Sequence, residues 1–196
     1  MVHTLTDEQE EVLRMHAEAV ASFGRRVRAV GSNQWGAPTP CTRWTVRDLV
    51  NHLTVEQLWV PPLMEGATVE EIGDRFEGDQ LGDDPLGVWR RAAAAARGAF
   101  ARPGALDSTV GLSAGPTPAV EYCSQMAMDA AVHTWDLARA TGGDTRIAPE
   151  LVAFARREVE PYADRLSASG LFDPPVKVSD SADEQTKLLA LLGRAT

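Results

Sequence analysis

An all-α fold, a four-helix bundle with extra short C-terminal helices, is predicted by three features of this 196-residue chain. Apolar residues recur at helical spacing over four long stretches. Each stretch opens on a capping residue or a cap followed by proline, and each closes on glycine or proline. Strand character is confined to one weak run, Ser108-Thr109-Val110-Gly111-Leu112, inside a connection.

The first helix starts at a capping box, with Thr6 as N-cap and Gln9 three positions on, because each side chain can satisfy the other residue's backbone N–H. Val12, Met15, Ala19, Phe23 and Val27 then fall on one face, until Gly31-Ser32-Asn33 ends the pattern. Thr45 and Asp48 repeat the device for the second helix, which Pro61-Pro62 is expected to stop. A short helix is expected near residues 69–76. Asp84-Pro85 opens a third helix, which carries an alanine run and ends at Pro103-Gly104. Thr117-Pro118 is expected to open the fourth in the same way, with Gly142-Gly143 closing it. A fifth helix is predicted over residues 149–166, and a short C-terminal one after Ser181-Ala182-Asp183-Glu184, ending at Gly193. The whole reads as one domain over residues 1–196, with a bundle core at about 6–142 and a helical extension at 149–196.

Charge and composition exclude several classes of function. Net charge is −9, and eight acidic residues lie between Met64 and Asp84 against the single Arg75. No basic stripe exists to meet a phosphate backbone or an anionic bilayer, so neither nucleic acid nor membrane is an expected partner. No apolar run approaches the ~20 residues that cross a bilayer. The N-terminus has no basic region followed by an apolar stretch, and two isolated cysteines, Cys41 and Cys123, form no disulfide framework. A cytoplasmic location is the expectation.

Two of the four histidines, His52 and His133, sit in mid-helix. Asp129 precedes His133 by four residues, so carboxylate and imidazole share a helix face. With His52 from a second helix they supply three N/O ligands, the pattern of a metal site that keeps one position open. Spacing alone leaves the other reading in place, since an Asp–His pair four apart is often a helix-surface hydrogen bond or a satisfied core group. Glu56 and Asp48 share the face of His52 and could accept from its imidazole. Asp136 could do so for His133, or pair with an arginine such as Arg47. Glu56 and Asp136 are also the candidates for moving protons. His16 reads as a residue on the solvated flank of the first helix, His3 as part of a terminus, and Cys41 and Cys123 as buried, inert thiols. The long acidic connection is placed as a rim over the metal pocket, or else as a solvated loop.

The run Thr39-Pro40-Cys41-Thr42-Arg43-Trp44-Thr45-Val46-Arg47-Asp48-Leu49-Val50-Asn51-His52-Leu53 resembles a known signature, TPC-x-x-WTVRDLV-x-HL. It is that of the mycothiol-dependent maleylpyruvate isomerase metal-binding domain, within the DinB-like superfamily. His133-Thr134-Trp135-Asp136-Leu137-Ala138-Arg139-Ala140-Thr141-Gly142 resembles the same family's second signature, and the tail from Pro174 to Arg194 looks like its actinobacterial branch. The resemblance implies a DinB-like bundle with a divalent ion, zinc first and nickel next, on His52, Asp129 and His133. The family's helix carboxylate is commonly Glu, and here it is Asp129. The isomerase also carries a further C-terminal domain, for which 196 residues are expected to leave no room. The resemblance therefore bears on fold and metal site more than on maleylpyruvate isomerisation. Mycothiol is the implied co-substrate, in a thiol transfer or thiol-assisted isomerisation of a small molecule. The alternative is a metal-binding stress or regulatory module without turnover. A homodimer is compatible with either.

Overall fold

The computed structural model describes residues 4–41, 43–162 and 173–196. His3, Thr42 and positions 163–166 of the predicted fifth helix lie outside the described residues. The long helices are α1 (Asp7–Ala29), α2 (Val46–Met64), α4 (Pro85–Phe100) and α5 (Ala119–Thr141). A single turn, α3 (Val69–Ile72), lies between α2 and α4, and β1 (Thr109–Leu112) and β2 (Gly115–Pro118) form a hairpin before α5. Among the described residues two further helices, α6 (Pro149–Val159) and α7 (Glu184–Leu191), follow. The all-α expectation holds, with that hairpin as the only sheet among the described residues.

The caps form as the sequence predicts for α1, α2 and α4. Thr6 Oγ1 accepts from Gln9 N–H at 3.2 Å while Gln9 Oε1 accepts from Thr6 N–H at 3.1 Å, and Asp84 Oδ1 accepts from Gly87 N–H at 2.9 Å. Several boundaries differ: α3 stops at Ile72 rather than near Phe76, the predicted fifth helix gives way at Val159 to a 3-10 turn over Glu160–Tyr162, and two proline signals act otherwise than expected. Pro61 and Pro62 sit inside the last turn of α2, which runs on to Met64. Proline forfeits its own N–H bond, but its fixed φ suits a helix, and the Glu65 N–H still reaches Pro61 O and Pro62 O at 3.1 Å. Thr117 does not cap α5: it is the penultimate residue of β2, its hydroxyl turned to Gly115 O at 3.2 Å, and Pro118 takes the cap position without a side-chain bond.

α5 is the centre of the bundle, buried on nearly every face. α1 packs along it, α2 packs along α4 and meets α5, and α6 covers one end. Phe23 and Trp89 meet with ring centroids 4.8 Å apart, and Gly24 makes the approach possible, because a Cβ there would lie 2.8 Å from Trp89 Nε1. Each such fully buried apolar side chain contributes about 1.5–3 kcal/mol. His16 is a correction: it is 1 % exposed, bonded to Gln57 Oε1 at 3.2 Å and edge-on to Phe100. Burial brings its pKa down to about 4, so it sits in the core as a neutral ring.

Two connections shape the site. The loop before α2 folds on itself through a Pro38–Thr45 bridge, and Thr39 Oγ1 both accepts from Cys41 N–H at 3.2 Å and donates to Trp44 O at 2.9 Å. The C-terminal segment packs α7 on α6 and turns back at Gly193, whose φ is +79°. Added Cβ there would come within 2.7 Å of Asp173 O. That turn delivers Arg194 to the middle of the molecule.

The acidic connection lies along the outer side of α2. Asn51 Nδ2 donates to Gly78 O at 2.9 Å, Gln80 N–H donates to Asn51 Oδ1 at 2.8 Å, and Arg47 pairs with Asp79 at 2.5 Å.

Candidate metal centre

His52 stands on α2, and Asp129 and His133 stand one turn apart on α5. His52 Nε2 is 3.5 Å from Asp129 Oδ2, and His133 Nε2 is 3.3 Å from Asp129 Oδ1. One donor atom from each of the three lies within 4.8 Å of the others. The two imidazoles meet edge to face, 5.5 Å apart, and the Trp44 ring covers both, 4.6 Å from His52 and 5.8 Å from His133. The sequence expectation that these three residues share one spot is met by the geometry.

The electrostatics are those of a proton held where a cation would fit. Burial opposes ionisation of Asp129, but the charge and hydrogen bonds of His133 and His52 outweigh it and hold the carboxyl well below the usual range. Burial likewise opposes charge on His133, and Asp129, Asp136 and Cys41 together raise its pKa well above the ordinary imidazole value. Two imidazole nitrogens and one carboxylate oxygen suit a divalent ion such as zinc, and ligation would require both rings to be neutral.

Behind His133 the support is continuous. Its Nδ1 is 2.8 Å from Asp136 Oδ2, and Asp136 is fully buried. Arg194 completes the chain, with Nη2 2.9 Å from Asp136 Oδ2 and Nε 3.3 Å from Oδ1. Asp136 thus orients His133, as the sequence suggests, but its arginine is Arg194 rather than Arg47. Burial pushes the Asp136 carboxyl up, and His133 and Arg194 more than offset that, so it stays ionised. Cys41 Sγ closes the cluster, 3.5 Å from Asp136 Oδ2, 3.5 Å from Arg194 Nη2 and 3.9 Å from His133 Nδ1. Cys41, His133 and Asp136 could together hold a cation of their own. The Arg194 guanidinium already supplies the positive charge there, which disfavours a second one.

The three candidate ligands open onto a cleft of about 910 Å³ that runs between α2 and α5. Glu56, one turn beyond His52, lines it, and burial with the neighbouring Asp129 charge raises its carboxyl pKa. Asp48 does not join the site, because its carboxylate is spent on the Thr45 cap. Of the acidic connection only Val69 lines the cleft, so its carboxylates do not form the rim that their position in the sequence suggests. Sequence reasoning missed Arg194 and the part played by Cys41. A mid-helix Asp facing the core signals a cationic partner, but nothing in the sequence says which arginine it is.

Residues 16–138 match a family described as the mycothiol maleylpyruvate isomerase N-terminal domain. Two Mycobacterium tuberculosis proteins, called uncharacterized protein Rv0738 and uncharacterized protein MT0763, are each 32 % identical to this chain over 157 residues, covering 76 % of it and 80 % of each relative. No solved structure gives a significant match. The matched span includes Cys41, His52, Glu56, Asp129, His133 and Asp136, and stops well short of Arg194.

Proposed function

This chain belongs to the mycothiol maleylpyruvate isomerase N-terminal domain family, and on that premise we propose that it is a divalent-metal-binding protein that acts on a small molecule in a thiol-dependent transfer or isomerisation. His52, Asp129 and His133 are the proposed ligands, zinc the proposed ion and mycothiol the proposed thiol. The observation that supports this reading best is the convergence of three donor groups from two helices on the end of a large cleft. A site meant only to hold a metal has no need of such a cleft. When bound there, the ion would supply a Lewis-acid charge that favours the ionised form of a thiol or water in an open position.

The chain's own residues do the rest. Asp136 fixes the ring of His133 through Nδ1, which leaves Nε2 for the ion. Trp44 shields both imidazoles and keeps water from one side. Glu56, with its carboxyl pKa raised, is placed to take up or give a proton at a ligand in the cleft.

The test uses protein loaded with cobalt(II) in place of zinc, whose visible spectrum reports thiolate ligation. Adding mycothiol is expected to produce a saturable spectral change that is lost in His52→Ala. A cobalt spectrum indifferent to mycothiol would instead favour a coordinatively closed, non-catalytic metal-binding module.

A further inference from the structure

The two helices that carry the candidate ligands also line the cleft beyond them. His52, Glu56, Trp59 and Leu63 recur on one face of α2, and His133, Asp129, Met126 and Tyr122 on one face of α5. The two rows recede from the metal end together, so the cleft is a groove with distance built into it. Glu56 lies about 6 Å along it from His52, and Tyr122 about 10 Å along it from Asp129, at ~1.5 Å rise per residue.

Most of the far end is apolar, lined by Trp59, Leu63, Val69, Leu112 and Met126. Ser113, Gln125 and Tyr122 interrupt it, and of these only Tyr122 is buried. Tyr122 is only 5 % exposed, yet its hydroxyl makes no hydrogen bond to the protein among the described residues. Nor is that hydroxyl among the polar atoms sealed from solvent without a partner. What exposure the residue keeps therefore includes the hydroxyl, which opens onto the cleft. A tyrosine buried this far normally finds a partner, and here the partner comes from the cleft, as water or as a ligand group that displaces it.

The chemistry of that ligand follows from the surroundings. Tyr122 is a phenol donor, and Glu56, an acceptor, lies between it and the metal end. The two arginines that line the cleft, Arg43 and Arg194, stand beside Cys41 and Trp44 at the metal end, and among the described residues no cationic side chain lines the far end. An anionic group there would meet Glu56 with no compensating charge. A neutral group with both an acceptor and a donor fits.

Resting on the proposed metal site, we propose that Tyr122 and Glu56 form a second recognition point in the cleft. It reads a neutral amide or hydroxyl on an extended ligand whose other end is held at His52, Asp129 and His133. An apolar groove with a few well-placed polar groups is the usual build of a small-molecule site. Tyr122 positions the ligand away from the reacting atoms, while Glu56, nearer the candidate ligands, can serve this contact as well as proton transfer.

The test compares two thiol amides on zinc-loaded protein by calorimetry. Mercaptohexanamide is long enough to reach Tyr122 from the metal, and mercaptoacetamide is not. Tyr122→Phe, which keeps the ring and its packing, is expected to weaken mercaptohexanamide roughly tenfold and leave mercaptoacetamide unchanged, the size of one buried neutral hydrogen bond. Glu56→Gln, which keeps the shape and still offers an acceptor oxygen, is expected to weaken mercaptohexanamide less than Tyr122→Phe does. Zinc content, measured on the same samples, is expected to match wild type in both variants. If Tyr122→Phe leaves both affinities unchanged, or weakens the two thiols equally while zinc stays bound, the recognition point is wrong and the metal site stands. If wild-type protein binds neither zinc nor thiol, both readings fall.

Discussion

Asp136 is the residue on which the site turns. It is fully buried, takes the Nδ1 side of His133 and receives two bonds from Arg194. Removing one partner of a buried ion pair leaves the other charge uncompensated, so Arg194→Met is expected to destabilise the fold by about 3–5 kcal/mol, read from urea unfolding. Asp136→Asn is expected to weaken zinc about 10–100-fold in a chelator competition, because the ring of His133 loses its charged acceptor and keeps at most a neutral amide oxygen. Arg47→Ala serves as the control, with zinc affinity unchanged, since Arg47 is spent on Asp79 and Gly82 O. Of the candidate trio, Asp129 and His133 were legible because an i,i+4 pair is local and its geometry is fixed by the helix, and His52 because it is the other mid-helix histidine and stands in the family-like signature. The Asp136–Arg194 contact spans 58 residues and was not legible, because no local rule reaches that far. His16 misled for a related reason: a polar residue on a helix flank reads as solvated unless its partner on another helix, here Gln57, is known.

At the scale of elements, caps and terminators carried most of the fold. Thr6, Thr45 and Asp84 mark their helices because the orphan N–H groups of a first turn demand an acceptor at a fixed position. Pro61-Pro62 and Thr117-Pro118 were misread where tertiary context overrode a local rule. The apolar face of α2 goes on packing through Leu63, and strand pairing with β1 claims Thr117. The element with the least visible role was the C-terminal turn. Gly193 has a left-handed backbone that an L side chain enters at a cost, and a Cβ would also strike Asp173 backbone. Gly193→Ala is therefore expected to lower stability by about 1–2 kcal/mol or more and to weaken zinc in parallel, through displacement of Arg194. Retained zinc affinity in a destabilised Gly193→Ala protein would separate that turn from the site.

The whole molecule couples protons, metal and stability. In metal-free protein His133 has a raised folded-state pKa, so its contribution is complete below about 6.5 and is lost as pH rises through the folded value. Asp129 and Asp136 have lowered values, so theirs is present above about 3.8 and lost as pH falls. His16, neutral down to about 4, adds a loss on the acid side as pH drops below its ordinary value of 6.5. Metal-free protein is thus expected to lose stability on both sides, including above neutrality. With zinc present the alkaline limb is expected to vanish, because the ion replaces the proton on His133 and binds more tightly as that ring deprotonates. Melting temperatures across pH, with zinc and with chelator, read the two curves, and parallel curves would mean that the histidines have no metal partner.

The measurement closest to the central claim is metal content by elemental analysis of protein reconstituted with zinc and freed of excess. Wild type is expected to retain about one zinc per chain, as a three-ligand site with an open position should. His52→Ala and His133→Ala are each expected to retain almost none, while His16→Ala, which alters a core histidine away from the cleft, retains the wild-type amount. Full zinc in both the His52 and His133 variants would contradict the account.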